Sequence, residues 1–208
     1  KIKSPAYISP PLPSSSSLSP TSSLSPLVSI FVEVFCGPAR LSHEFAKLGL
    51  FSVGIDRPHR GGKKANPWIA LDLNDETDAG VMKKLLEARG VYLVLWLSIP
   101  AGTLTRSRER PIPEELRAAG VPEVLPLRST LHPWGIPTQL EGEHGDRVRL
   151  SNALLVLCFD LLRRCQARGF QWFVSNPLRS VLWSMELWNG LHFVDTDFAE
   201  CAHGGPRP

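Results

Sequence analysis

Apolar runs of four to seven residues alternate along most of the chain with stretches whose apolar positions recur every three or four residues, the pattern of an α/β protein. Residues 31–56, FVEVFCGPARLSHEFAKLGLFSVGID, carry the fullest example. Phe31, Val32, Val34 and Phe35 are strand formers, and Gly37 allows a tight turn. Pro38 suits the first position of a helix, where its missing N–H is not needed. Leu41, Phe45 and Leu48 follow at helical spacing, Gly49 closes the helix, and residues 52–55 form a second strand that ends at Asp56.

The alternation continues. Residues 67–71 predict a short strand before Asp72, and Asn74 to Thr77 predict the cap of a helix that carries Val81, Leu85 and Leu86 and closes at Gly90. Residues 91–97, VYLVLWL, show no alternation and predict a central parallel strand buried on both faces. Residues 102–145 are rich in proline and poor in periodicity, which predicts a long loop of the kind that is functional or disordered. Asp146 is expected to open a long helix through Leu154, Leu155, Cys158, Leu161, Leu162 and Cys165, ended by Gly169. Residues 170–174 predict another buried strand, a short helix is expected after Pro177, and residues 192–198 a last strand. The expected fold class is α/β, Rossmann-like, with a mostly parallel sheet and helices on both faces.

Composition bounds this picture. Residues 1–27 are dominated by serine, proline and leucine, as in PLPSSSSLSPTSSLSP, and predict a disordered leader ahead of a single domain over 28–208. The leader has neither a signal-peptide core nor an arginine-rich transit pattern, and no later apolar run is long enough to span a bilayer, so an intracellular chain without a membrane partner is expected. Cys36, Cys158, Cys165 and Cys201 form no CxxC pair, which points to free thiols and to no metal. The net charge of +3 and pI near 8.8 are compatible with nucleic acid but do not argue for it unaided.

Open α/β sheets bind ligands at the carboxyl ends of their strands, here residues 35–37, 56, 72, 98–101 and 175–177. Asp56 lies about 20 residues beyond Gly37, the spacing at which a carboxylate reaches ribose hydroxyls in a βαβ unit, so an adenosine cofactor is expected. A dinucleotide loop wants three glycines around its pyrophosphate, and here only Gly37 stands among Pro38, Ala39 and Arg40. S-adenosylmethionine carries no phosphate and suits a one-glycine turn.

Those strand ends resemble, in family order, the motifs of the DNA cytosine-5 methyltransferase superfamily, and more closely a divergent branch of it. The family's D-L-F-x-G-x-G-G is matched by Glu33, Val34, Phe35, Cys36, Gly37, Pro38, Ala39 and Arg40, its ribose acid by Asp56 and its adenine-side acid by Asp72. The branch's P-C-G-T and S-R-A-R are matched by Pro100, Ala101, Gly102, Thr103 and then Arg106, Ser107, Arg108. Its E-N-P with S-x-x-W is matched by Ser175, Asn176, Pro177, Ser180 and Trp183. A middle segment of the type L-R-S…H-P-W-G-L-P is present as Leu127, Arg128, Ser129 and residues 132–137.

The resemblance implies a methyltransferase fold with S-adenosylmethionine held by Phe35, Cys36, Gly37, Pro38, Ala39, Asp56, Asp72, Ser98 and Pro100. It implies a catalytic corner at Ala101, Ser175, Asn176 and Pro177, and nucleic acid, DNA before RNA, met by Arg106 and Arg108. A nuclear location would follow from a DNA substrate. The departures matter most: cytosine-5 transfer needs a thiolate that adds to carbon 6 and a carboxyl group on the ring, and those positions hold Ala101 and Ser175. Impaired or absent cytosine-5 transfer is therefore expected, a pseudoenzyme in the limit. The alternative is a non-catalytic nucleic-acid or protein-binding module that has lost cofactor use.

Around the candidate site, residues 103–150 hold as many acids as arginines, so a mixed solvated surface competes with a phosphate grip. His132 is expected to fold its loop, and Trp96, Trp172 and Trp183 to pack in the core. The family's final sheet hairpin and a separate target-recognition domain are expected to be missing.

Overall fold

The computed structural model describes residues 2–4, 28–58, 68–105, 111–121 and 124–196. Its strands are β1 (Ile2–Ser4), β2 (Val28–Val34), β3 (Phe51–Asp56), β4 (Trp68–Ala70), β5 (Val91–Ser98), β6 (Gln171–Ser175) and β7 (Val194–Thr196). The helices are α1 (Arg40–Lys47), α2 (Glu76–Glu87), α3 (Glu114–Ala118) and α4 (Gly142–Ala167). One sheet runs in the order β4-β3-β2-β5-β6-β1-β7. Strands β4, β3, β2, β5 and β6 are mutually parallel, and the architecture is the α/β, Rossmann-like one that the alternation of elements predicts.

Strand β2 is the centre. Phe31, Val32, Glu33 and Val34 are all buried, because β3 and β5 flank the strand and helices cover both faces. Phe31 stacks on Phe45 of α1 at 4.0 Å, which places α1 on the face of the odd-numbered β2 residues. Val32 and Val34 look the other way, into the core with Met82 and Leu86 of α2 and with Leu155, Phe159 and Leu162 of α4. On that second face α2 and α4 are tied at the surface by Arg164, which reaches Asp160 and Glu87 at 3.0 Å each. Such exposed pairs contribute little, and the apolar seam beneath them holds the helices.

Several expectations change in detail. Strand β5 alternates instead of being buried equally on both faces: Leu93, Leu95 and Leu97 are fully buried under α4, while Val94, Trp96 and Ser98 are half-buried. On the latter side of the sheet, α1 packs over β2 and β3. Helix α2 is capped by Asp75, whose carboxylate accepts the N–H groups of Thr77 and Asp78. Helix α4 begins at Gly142 rather than at Asp146, one turn earlier, with Glu141 as its N-cap. Glycines at 142 and 145 hide that turn from propensity, and the long loop is shorter for it. After Pro177 come two 3-10 turns, Val181–Ser184 and Glu186–Trp188.

The largest difference lies at the start of the chain. Ile2–Ser4, assigned above to a disordered leader, form a strand that pairs antiparallel with both β6 and β7. The last strand expected over residues 192–198 is β7 (Val194–Thr196), and it joins the sheet through β1. Residues 5–27 lie outside the described residues.

Trp172 is completely buried, as expected, and so are Cys158 and Cys165, whose thiols burial pushes up to about 12 from an ordinary 9.0. A raised folded-state pKa gives stability that is complete below pH 9 and is lost as pH rises toward 12. Urea unfolding from pH 8 to 11 should therefore show a downward slope above pH 9 that is steeper, by up to about 1.4 kcal/mol per pH unit for each thiol, than in a Cys158→Ala/Cys165→Ala chain. Equal slopes would show that neither thiol is withheld from water.

Candidate functional site

The turn after β2 is unusual backbone. Phe35, Gly37 and Ala39 have φ of 59°, 52° and 58°, so three of five consecutive residues are left-handed and two of them carry a Cβ. Each non-glycine residue there costs about 1–2 kcal/mol, and such strain persists where the surroundings impose it. The imposing contacts are specific. Cys36 N–H donates to the Ile55 carbonyl at 3.2 Å, Ala39 N–H to the Cys36 carbonyl at 2.8 Å, and Gly37 N–H to Asp56 Oδ2 at 2.9 Å. Pro38 sits inside this turn and not at the first helical position, because α1 starts after the left-handed Ala39. Gly54 in the neighbouring strand makes room for the turn: a Cβ there would lie 2.8 Å from Cys36 Sγ and 3.0 Å from Ala39 Cβ.

Glu33 is the acid that sequence reasoning left without a role. It is buried, and its Oε2 accepts the Ser42 N–H at 2.8 Å, so a carboxylate closes the first turn of α1 from within the sheet. The available signal was an acid in the middle of a buried apolar strand. Ser42 Oγ donates to the Ala39 carbonyl at 3.1 Å and holds the same corner.

Asp56 ends β3 half-buried, with Oδ2 on Gly37 and Oδ1 accepting the N–H of Arg57 at 2.9 Å. Beside it, Leu71 N–H donates to the Asp56 carbonyl at 2.9 Å, which brings the end of β4 and Asp72 alongside. Asp72 Oδ1 accepts from Asn74 N–H at 3.0 Å and from its side-chain amide at 3.2 Å, while its own N–H donates to Asp78 Oδ2 at 2.8 Å. Asp72 thus folds the turn into α2 as well as marking the strand end.

At the ends of β5 and β6, Ser98 stands opposite Ser175, and their hydroxyls share a hydrogen bond of 3.3 Å. Trp96 Nε1 donates to Ser98 Oγ at 3.0 Å. Asn176 is buried and donates through Nδ2 to the Ile99 carbonyl at 2.7 Å. Val181 N–H and Ser180 Oγ donate to the Leu104 carbonyl at 2.8 and 3.3 Å. Pro100, Ala101 and Gly102 therefore lie in a turn stitched to the residues after Pro177, and that turn closes where the Ala101 carbonyl accepts from Leu104 and Thr105. Where the resemblance calls for a thiol and a carboxylic acid, the corner offers a methyl group and a hydroxyl; a hydroxyl donates and accepts but does not stabilise developing charge as an acid does.

Arg128 was noted only as part of a motif, and the fold gives it a structural task. Its guanidinium is buried and bonded to neutral groups: Nε to Thr103 Oγ1 at 3.1 Å, and Nη1 to the Pro133 carbonyl at 2.6 Å and Asn152 Oδ1 at 2.8 Å. Burial lowers its pKa to about 10, which still leaves it charged at neutral pH. One side chain thus pins the 128–134 loop to α4 and to the turn after β5. His132 is exposed, and its backbone shares reciprocal hydrogen bonds with that of Ser129. Trp96 stacks on Phe173 at 5.5 Å and Trp183 on Trp188 at 5.7 Å, so both act as packing groups. Arg106 and Arg108 lie outside the described residues. Among the described residues, no three His, Cys, Asp or Glu side chains are grouped to hold a metal, and no helix is long and apolar enough to cross a membrane.

No family model, curated protein or solved structure matches the chain.

Two substitutions probe this geometry. Gly54→Ala forces a methyl group against the strained turn and should destabilise the fold by about 1–3 kcal/mol in urea. Arg128→Lys keeps the charge but cannot span Thr103, Pro133 and Asn152 together, and should cost about 2 kcal/mol. If both variants unfold at the parent midpoint, neither contact organises the site.

Proposed function

We propose that the domain binds S-adenosylmethionine in the manner of the DNA cytosine-5 methyltransferases it resembles, and that it is impaired or inactive in cytosine-5 transfer. The observation that carries the reading is the 2.9 Å bond from Gly37 N–H to Asp56 Oδ2, which joins a left-handed turn to an acid across the ends of two parallel strands. One glycine and one acid in that relation suit a nucleoside without a pyrophosphate. When bound, the cofactor supplies a methyl group on sulfonium. Asp56 would then take the ribose, Asp72 the adenine side and residues 35–39 the methionine end.

The reactive corner supports loss of chemistry. Ala101 holds no nucleophile, and the Ser175 hydroxyl is already bonded to Ser98. Cys36 is buried in the turn after β2, where its Sγ contacts the Gly37 carbonyl at 3.8 Å, whereas the Ser98–Ser175 pair ends β5 and β6. Nucleic acid, DNA before RNA, is the partner this reading assigns, with Arg106 and Arg108 as its phosphate contacts.

Titration calorimetry with S-adenosylmethionine and its demethylated product tests the cofactor site. Saturable heat is expected, and Asp56→Ala should weaken binding by at least about tenfold, the loss of one charge-assisted hydrogen bond. No heat at millimolar ligand with folded protein would sink the reading.

Labelled-methyl transfer to cytosine in DNA or RNA should be at background for the unaltered chain, and Ala101→Cys alone should not restore it, because catalytic groups act as a unit. With S-adenosylmethionine present and a target-recognition part supplied in trans or by fusion, Ala101→Cys with Ser175→Glu should form a covalent adduct with 5-fluorocytosine DNA. Robust turnover by the unaltered chain, kept in every Cys→Ser variant, would show that the thiol mechanism is the wrong frame.

A further inference from the structure

Lys3 is buried to 5% exposure in a strand only three residues long, and an ammonium is a costly group to bury. Its surroundings explain the burial. Nζ lies 3.9 Å from the ring centroid of Trp188, 3.9 Å from that of Phe193 and 5.5 Å from that of Trp183, with Asp195 Oδ1 at 3.8 Å. Three aromatic faces and one carboxylate form a cage of the kind that recognises ammonium ions. The cage is built from parts far from Lys3 in sequence and is braced independently of it. Trp188 Nε1 donates to the Leu182 carbonyl at 2.8 Å, Trp183 Nε1 to the Pro177 carbonyl at 2.8 Å, and Trp188 packs edge-on against Phe159 of α4.

The backbone adds a second element of recognition. Lys3 stands opposite Val174 of β6 and Asp195 of β7, so the segment fills a slot between two strands and pairs with both. Main-chain pairing accepts any extended segment, and the side-chain pocket at one position supplies selectivity; this is how strand addition recognises peptides. At 3.9 Å the nitrogen itself touches the rings, which leaves no shell for methyl groups. Acylation would remove the charge that the rings and Asp195 attract.

We propose that the slot between β6 and β7 is a strand-binding seat that reads an unmodified lysine ammonium, and that Lys3 of the chain's own N-terminal strand is its occupant. The seat lies on the α4 face of the sheet, apart from the turn at residues 35–39, and the inference does not depend on cofactor binding. It makes the outermost part of the sheet releasable by chemistry at a single nitrogen.

Two measurements on the full chain test this. In Lys3→Met, amide protection at Val174 and Asp195 should fall by at least about tenfold while Leu93, Leu95 and Leu97 keep theirs, since local opening reports local stability. In Lys3→Glu, which sets a carboxylate beside Asp195, a labelled KIKSPAY peptide added in trans should bind saturably. Versions of the peptide with acetyl-lysine, trimethyl-lysine or methionine at the third position should bind at least about tenfold more weakly. Unchanged protection in Lys3→Met overturns the proposal. So does the failure of the peptide to bind a Lys3→Glu chain folded by circular dichroism, or equal binding of all four peptides.

Discussion

Strand β2 has neighbours in every direction: β3 and β5 in the sheet, α1 on one face, and the α2 and α4 core on the other. A strand enclosed in this way leaves no water for its polar groups, so each must be answered from within the protein. Glu33 is answered by the first turn of α1, through Ser42, and that bond fixes where the helix starts relative to the strand. The turn between them takes three left-handed residues. The same turn presents its Gly37 amide to Asp56.

The parallel arrangement concentrates chain ends at one edge. Because β2, β3, β4, β5 and β6 point the same way, the Gly37 turn, Asp56, Asp72, the 98–102 segment and the 175–177 segment all arrive there without any local sequence instructing them to meet. What they offer on arrival differs along the edge. The β2–β3 side has an amide and a carboxylate held at hydrogen-bond distance, whereas the β5–β6 side has two hydroxyls bonded to one another and an indole N–H that completes the set. The first arrangement joins two strand ends through a charged acceptor, and the second through neutral hydroxyls.

Two buried cations show how differently charge is accommodated. Arg128 is planar and has several donors, and it is satisfied by neutral acceptors from the turn after β5, its own loop and α4. Lys3 is a point charge, and ring faces with one carboxylate suit it better. In both cases the cation joins segments that are remote in the chain, so charge here organises topology more than it decorates the surface.

The alternation of apolar runs with helical periodicity was enough to place β2 to β6, α1 and α2, and to send Cys158, Cys165 and Trp172 inward, because burial against a sheet imposes a period on each element that is visible locally. The Gly37–Asp56 relation was legible for the same reason, since a βαβ unit spans a fixed length. The early start of α4 was not, because glycines at 142 and 145 contradict the helix that tertiary packing imposes. Nor was the pairing of Ser98 with Ser175, of Arg128 with Asn152, or of Lys3 with Trp188, whose partners are set by strand order and not by neighbours in sequence. A three-residue strand inside a serine- and proline-rich leader has too few side chains to show any period. Only the open slot between β6 and β7, with its aromatic faces, decides that Ile2–Ser4 is a strand at all.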